Sequence, residues 1–382
     1  MTQMRPIVHA ITPGDHFSPS TGSAVVTVVH GLCYGWSAGD VRPTVLVAAG
    51  TYADRYSSAD IVEYAQPPQE RTDRYTDALR AVVGMPRRSA RAQYAAAVAS
   101  QSTWESSFVV GHNAVQLASV VDVARHAPVL YAHNDLLRSY SKREAERALG
   151  DVAAIVAVSD YLAGRLADTL PANLRERISV VRNGVELSAF ERPRAESNSN
   201  RLRVAYVGRT IPAKGVDVLI KAVQRLKRND LEVVIAGSAG FDPRAPLSDY
   251  EQRLRKLAAG SAIPVRFMPF VPRTAVAGIL ASADIVVVPS RWPDPCPLTV
   301  LEGMASGAAV IASDIGGIPE IVGGAAILTR PGDVADLADA IDSLAADSAR
   351  LAAAKSVSLE RARERDWRVV AAEFRRVLAR AQ

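Results

Sequence analysis

Residues Val286 to Gly307 read VVVPSRWPDPCPLTVLEGMASG. The stretch opens as an apolar, β-branched run, so a buried strand is expected from Asp284 to Pro289. It breaks at Pro289-Ser290 and enters a proline-rich loop that carries Asp294. A helix is expected from near Leu298, with Glu302 in its early turns. Two carboxylates eight positions apart therefore flank the start of a helix that follows a strand. Backbone N–H groups at such a helix start suit a phosphate. A carboxylate in the loop can accept hydrogen bonds from sugar hydroxyls. The plainer reading of the same residues is a helix N-terminus with capping acids.

On both sides of this stretch, strand and helix patterns alternate. Before it come Val204–Val207, Val216–Leu226, Val233–Ile235, Tyr250–Ala258, Val265–Phe267 and Ala275–Ala281. After it come Val310–Ala312, Ile318–Val322, Ala326–Leu328 and Val334–Leu344. Alternation of this kind builds a doubly wound parallel sheet. The polar segment ERPRAESNSN, Glu191 to Asn200, lacks apolar periodicity and reads as a linker. Ahead of it lies a first series: Ile7–Ile11, a helix over Ala24–Leu32, Thr44–Ala49, Ile61–Tyr64, Phe108–Val110, Val129–Ala132, Ile155–Val158 and Ser179–Val181. Two α/β domains are expected, 1–190 and 201–366, joined by 191–200. The helical stretch Leu351–Ala381 breaks at Trp367.

At 382 residues the chain is too long for one ordinary core, which agrees with two domains. A net charge of +5 is mild for that length, and no zinc-finger or basic-helix pattern accompanies it, so nucleic acid is not an expected partner. Cys33 and Cys296 lie far apart, which argues against a disulfide framework and for a cytoplasmic setting. The N-terminus shows no signal-peptide pattern, and no apolar run reaches membrane-spanning length. Arg87, Arg88 and Arg91 follow a polar helical region over Arg71–Val83; they read as a solvated face, with an anionic or lipid-linked acceptor, and so peripheral membrane contact, as the lesser reading.

Other residues point to ligand chemistry. Gly208-Arg209-Thr210-Ile211-Pro212-Ala213-Lys214-Gly215 lies between a strand and a helix. An arginine fork and a lysine point charge together suit a diphosphate. Gly237-Ser238 follows another strand, and Gly316-Gly317-Ile318-Pro319-Glu320 opens a later helix. Gly22 and Ser23 lie between the first strand and the first helix, where open α/β sheets bind ligands. His112-Asn113 and His133-Asn134 end two strands and point at a ligand, the plainer reading being capping or core histidines. Asn183-Gly184 after the last strand of this series is a turn signal. The chain lacks Asp-x-Asp, Gly-x-Gly-x-x-Gly, Walker A, Gly-x-Ser-x-Gly and zinc-ligand spacings, which weakens metal-clamped transferase, dehydrogenase, P-loop and esterase readings.

Asp294-x7-Glu302 resembles the Glu-x7-Glu signature of retaining GT-B glycosyltransferases of family 4, the glycosyl transferases group 1, with Asp294 in place of the first Glu and Cys296-Pro297 in place of Phe-Gly. Gly208-Arg209…Lys214-Gly215, Asn183-Gly184-Val185-Glu186 and Gly316-Gly317…Pro319-Glu320 resemble the same family, strongly over Arg203–Leu328. The resemblance implies a GT-B fold, two Rossmann-like domains facing across a cleft with the last helix, 367–382, crossing back to the first. It implies a retaining transfer from a nucleotide-diphospho sugar, UDP by default, to a hydroxyl acceptor, with no metal or other cofactor. Arg209 and Lys214 would stabilise the diphosphate, Asp294 and His133 the sugar, and Glu302 the ribose. Gly208, Gly237, Ser238, Val271, Pro295, Cys296, Pro297, Leu298 and Thr299 would line the donor. Gly22, Ser23, His112 and Asn134 would line the acceptor side. Two rivals are a GT-B nucleotide-sugar 2-epimerase and a non-catalytic sugar-nucleotide-binding partner subunit.

Overall fold

The short apolar runs of the sequence become the strands of two parallel sheets. The computed structural model describes residues 4–36, 41–68, 73–82, 85–190 and 201–382. The first sheet comprises β1 (Ile7–Ala10), β2 (Thr44–Ala48), β3 (Asp60–Tyr64), β4 (Phe108–His112), β5 (Ala127–Ala132), β6 (Ala154–Ala157) and β7 (Ile178–Val180), in the order β3-β2-β1-β4-β5-β6-β7. The second comprises β8 (Leu202–Val207), β9 (Leu231–Ala236), β10 (Val265–Met268), β11 (Ile285–Val288), β12 (Ala309–Ser313) and β13 (Ile327–Thr329), in the order β10-β9-β8-β11-β12-β13. Helices connect most successive strands, as parallel pairing requires. Strands such as Ile285–Val288 are buried at every residue, which is why they read as unbroken apolar runs rather than alternating ones.

Each sheet has one place where neighbouring strands are not consecutive in sequence: β1 beside β4, and β8 beside β11. Helices diverge there and leave a crevice beyond the strands' C-terminal ends. Around the second sheet, Val204, Leu219, Val223, Val287, Ile311 and Ile341 belong to one buried apolar cluster.

The chain divides into two compact units. The first holds residues 1–19, 23–183 and 367–382; the second holds 20–22 and 184–366. The change of unit thus falls at Asn183/Gly184, ahead of the expected linker 191–200, which lies outside the described residues. The four-residue helix Leu187–Phe190 goes with the second unit.

The C-terminal helical stretch breaks before Trp367, as its sequence suggests. Ser348–Arg363 stays with the second unit, and Trp367–Arg380 packs in the first. Trp367, Val370, Ala371, Phe374, Val377 and Leu378 recur at helical spacing and are buried. Contact with the first helix, Ala24–Tyr34, is close: a Cβ on Gly31 would lie 2.1 Å from the Trp367 ring.

Two expectations shift. The polar helix expected over Arg71–Val83 spans Asp73–Val82, with 69–72 and 83–84 outside the described residues. A separate helix, Arg88–Ala97, follows it. Arg87 is engaged internally: its Nε donates to Glu144 at 2.7 Å, and its guanidinium lies 3.8 Å over the Tyr140 ring. No helix of the described residues is long and apolar enough to cross a membrane.

Candidate active site

In the second unit the singled-out residues gather on loops leaving the C-terminal ends of β8, β9, β11 and β12. The β8 loop runs through Gly208, Arg209 and Lys214 before the helix Val216–Arg225. The β11 loop carries Asp294 to the helix Leu298–Ala305. Backbone bonds tie the two together. The Ala213 carbonyl accepts the N–H groups of Arg291 at 2.8 Å and Trp292 at 3.1 Å. Gly215, at φ +70°, passes so close that a Cβ would lie 1.9 Å from the Pro289 oxygen. The β12 loop braces the other side, with Gly317 N–H donating to the Asp294 carbonyl at 2.9 Å. A Cβ on Gly316 would fall 2.5 Å from that same oxygen. Side chains larger than hydrogen cannot stand at these two turns without moving the acid loop.

The charges are paired across these loops. Lys214 Nζ forms an ion pair with Asp294 Oδ2, both side chains largely buried. Glu302 is buried and pairs with Arg273, the first residue of the helix Arg273–Ala281. Removing one partner of such a buried pair is strongly destabilising. The capping alternative fails: Pro297 holds the N-cap position, and neither acid caps the helix. Arg209 is exposed and donates from Nε and Nη2 to the Ala239 carbonyl at 3.0 and 2.9 Å. That loop is held from below by Glu251, which accepts from Thr210 Oγ1 at 2.9 Å and from Ala239 N–H at 3.2 Å. Burial drives the Glu251 carboxyl upward, but these bonds and those from Ser248 outweigh it and hold it below the usual range.

The remaining donor-side residues fall on the same loops. Ser238 Oγ accepts the Phe270 N–H at 2.8 Å, beside half-buried Val271. Thr299 Oγ1 donates to the Val207 carbonyl at 3.4 Å. Gly208 and Gly237 pass each other closely, a Cβ on Gly237 lying 2.0 Å from the Gly208 oxygen. Pro295, Cys296, Pro297 and Leu298 are buried under the loop. Among the described residues no group of three or more His, Cys, Asp or Glu side chains is arranged to hold a metal ion.

In the first unit the histidines meet one another. His9 ends near the top of β1, His112 closes β4 and His133 follows β5, so three adjacent strands bring them together. His9 Nδ1 lies 2.9 Å from His112 Nε2, and His112 Nδ1 lies 2.9 Å from His133 Nε2. His112 is wholly buried with both nitrogens engaged, so it presents neither to a ligand; this corrects its placement on the acceptor side. Asn113, in the left-handed region at φ +56°, turns its Oδ1 to the His133 N–H at 2.8 Å. Asn134 is exposed. Burial pushes the His9 and His133 imidazoles down to about 3. His112 is also held well below its ordinary value, by burial and then by its two neighbours. Ser23 caps the first helix, accepting from Val26 N–H at 3.5 Å, and Gly22 is grouped with the second unit.

A model of the glycosyl transferases group 1 family matches residues 188–361. The alpha-maltose-1-phosphate synthase of Mycolicibacterium smegmatis is 33% identical over 288 residues, which span 67% of this chain and 71% of that protein. The chain belongs to the glycosyl transferases group 1 family. Spore coat protein SA of Bacillus subtilis is 29% identical over 212 residues, 51% of this chain and 55% of its own length. The chain thus spans between about half and seven tenths of these curated relatives. A structure of Anabaena HepE in complex with UDP and glucose superposes with a TM-score of 0.73 at 19% identity, covering 97% of this chain and 99% of that one. That likeness is one of fold, and the fold is GT-B.

Within this group 1 chain, the sequence reading missed Arg273 and His9. Arg273 follows Pro272 at the start of a helix that the apolar pattern placed two residues later. His9 sits inside an apolar strand with no adjacent polar residue to flag it.

Proposed function

We propose that this group 1 glycosyltransferase moves a sugar from a UDP-sugar to a hydroxyl acceptor with retention at the anomeric carbon and without a metal. The observation that carries the reading is the Lys214–Asp294 ion pair, which joins the loops leaving the central strands β8 and β11, with Arg209 on the first of these connections and Glu302 in the helix that follows the second. Two cations at the end of β8 suit a diphosphate and offset the charge that grows on it as the glycosidic bond breaks. The acceptor oxygen then attacks on the face the diphosphate leaves, and a diphosphate oxygen takes its proton. No protein base is required in such a step. Lys214 turns from Asp294 toward the diphosphate, and Asp294 exchanges that partner for sugar hydroxyls. Glu302, paired with Arg273, accepts from the ribose hydroxyls. The UDP and glucose of the Anabaena structure support the choice of nucleotide.

The test is transfer from a panel of α-linked nucleotide sugars, with the product's anomeric configuration read by NMR and each reaction repeated in EDTA. An α-linked product formed equally well in chelator is expected. A β-linked product would overturn retention. Activity abolished by EDTA and restored by magnesium or manganese would overturn metal independence. Free epimeric nucleotide sugar released without acceptor would replace transfer by epimerisation.

A further inference from the structure

Three of the chain's six histidines form one hydrogen-bonded file across β1, β4 and β5. The His112 and His133 rings are stacked and the His9 ring is tilted against His112: centroids lie 5.1 Å apart from His9 to His112 and 5.2 Å from His112 to His133, at interplanar angles of 36° and 22°. Tyr131 stacks on His133 at 4.9 Å, and Phe374 of the last helix closes the His9 end. The rings are therefore held in place by packing, and only their protons are left to choose.

A neutral imidazole carries one N–H and one bare nitrogen. Both inter-ring bonds survive in only two ways. If His112 Nδ1 donates to His133 Nε2, then His112 Nε2 is bare and must accept from His9 Nδ1. All three rings are then Nδ1–H tautomers. In the reverse direction all three are Nε2–H. Charged rings would relax this rule, but burial keeps the imidazoles neutral. The ends decide between the two. In the Nε2–H arrangement the free N–H lies on His9, which is 1% exposed and whose described hydrogen bond is at Nδ1. The Nδ1–H arrangement leaves only a bare lone pair there, and sends the free N–H out from His133, 8% exposed. An N–H is costlier to leave unmet at the end with less access to water, and that end is His9.

We propose that His9 and His112 are positioning residues that lock His133 in its Nδ1–H tautomer, so that it offers a substrate oxygen one neutral hydrogen-bond donor. The substrate part rests on the transferase reading given above; the lock itself does not. A fixed donor that cannot charge gives the same hydrogen bond whatever the pH near neutrality.

Nitrogen-15 NMR of the ring nitrogens in the ligand-free protein tests the lock without any turnover. His133 is expected to show a protonated Nδ1 and a bare Nε2; the opposite pattern, or a mixture, overturns the proposal. His112→Phe keeps a ring in the file and removes both bonds. It is expected to move His133 toward the Nε2–H form that free imidazole favours and to lower kcat/KM about tenfold, the worth of roughly one neutral hydrogen bond. His112→Gln can still donate an amide N–H, and should restore both the His133 pattern and most of the rate. Should His112→Phe not fold, His9→Phe at the far end makes the same test. A His133 pattern indifferent to both replacements overturns the relay. Adding UDP, then UDP-glucose, locates the oxygen: a shift of the His133 Nδ1 resonance with both marks a phosphate, and with UDP-glucose alone a sugar hydroxyl. A correct ligand-free pattern with no shift for either ligand overturns the substrate contact and leaves the lock standing.

Discussion

Asp294 is one methylene shorter than the glutamate of the pattern it resembles, and its carboxylate is committed to Lys214. The loop that carries it is stiff. Pro293, Pro295 and Pro297 fix their own φ, and Gly317 N–H pins the Asp294 carbonyl. Asp294→Asn should lower kcat/KM for nucleotide sugar about tenfold or more, since charge-assisted bonds are worth about 1.5–3 kcal/mol each. It should not weaken the bare nucleoside diphosphate, because Lys214 is then released to it; calorimetry of both ligands checks this, and equal losses would remove Asp294 from the sugar. Arg209→Ala and Lys214→Ala should each cost on the order of a hundredfold in kcat, and Lys214→Arg should not fully rescue, the two cations differing in shape. The buried imidazoles add a pH effect. His9 and His133 bind protons near 6.5 when unfolded but only near 3 when folded, so stability is full above about pH 6.5 and is lost as pH falls through that window. Each should cost about 2 kcal/mol at pH 5 relative to pH 7. Urea unfolding at the two pH values, with His9→Phe as comparison, measures it; a flat profile would refute the buried neutral rings. At this scale the sequence singled out residues but not their partners. The pairings Lys214–Asp294 and Arg273–Glu302 join residues 80 and 29 positions apart, and no local pattern encodes them.

Elements were more legible, because packing acts on them through period and punctuation. The strand after Asp284 and the helix from Leu298 stand where the apolar run and the prolines put them. Helices such as Arg88–Ala97, RSARAQYAAA, and Lys142–Leu149, KREAERAL, were not assigned, because each is short and its apolar face is built largely from alanines. A serine cap closes the start of the second of these, with Ser141 Oγ accepting from Glu144 N–H at 3.2 Å. The junction of the β8 and β11 loops is open to test at Gly215. Alanine there meets φ +70° and the Pro289 oxygen at 1.9 Å, so the strain alone should cost about 1–3 kcal/mol. Gly164→Ala, inside a helix with nothing within 4 Å of the added methyl, should instead stabilise by about 0.5–1 kcal/mol. Thermal melts of the two variants compare them directly. Equal small effects would mean that the β8 loop yields at Gly215.

For the whole molecule, two rounds of strand–helix alternation announced two sheets, and a polar interval announced a division between them. The interval misled by a few residues, since Gly184–Phe190 already belongs with the second unit although its sequence gives no break in polarity there. The last helix is the telling piece. Phe374 is fully buried in the first unit, against Tyr131 at a centroid distance of 5.3 Å. Phe374→Ala should destabilise that unit by about 3–5 kcal/mol. Calorimetry should show the loss in one transition only, and an equal shift of both would mean the units melt together. The same helix has a consequence in time. During synthesis the first sheet leaves the ribosome early, yet the side of it that bears His9 has no lid until Trp367–Arg380 emerges. The entire second unit is made in the meantime. It folds, in effect, as a passenger inside an unfinished host, and any stall or cut just after Asp366 strands a completed second unit beside a first one that cannot close its core.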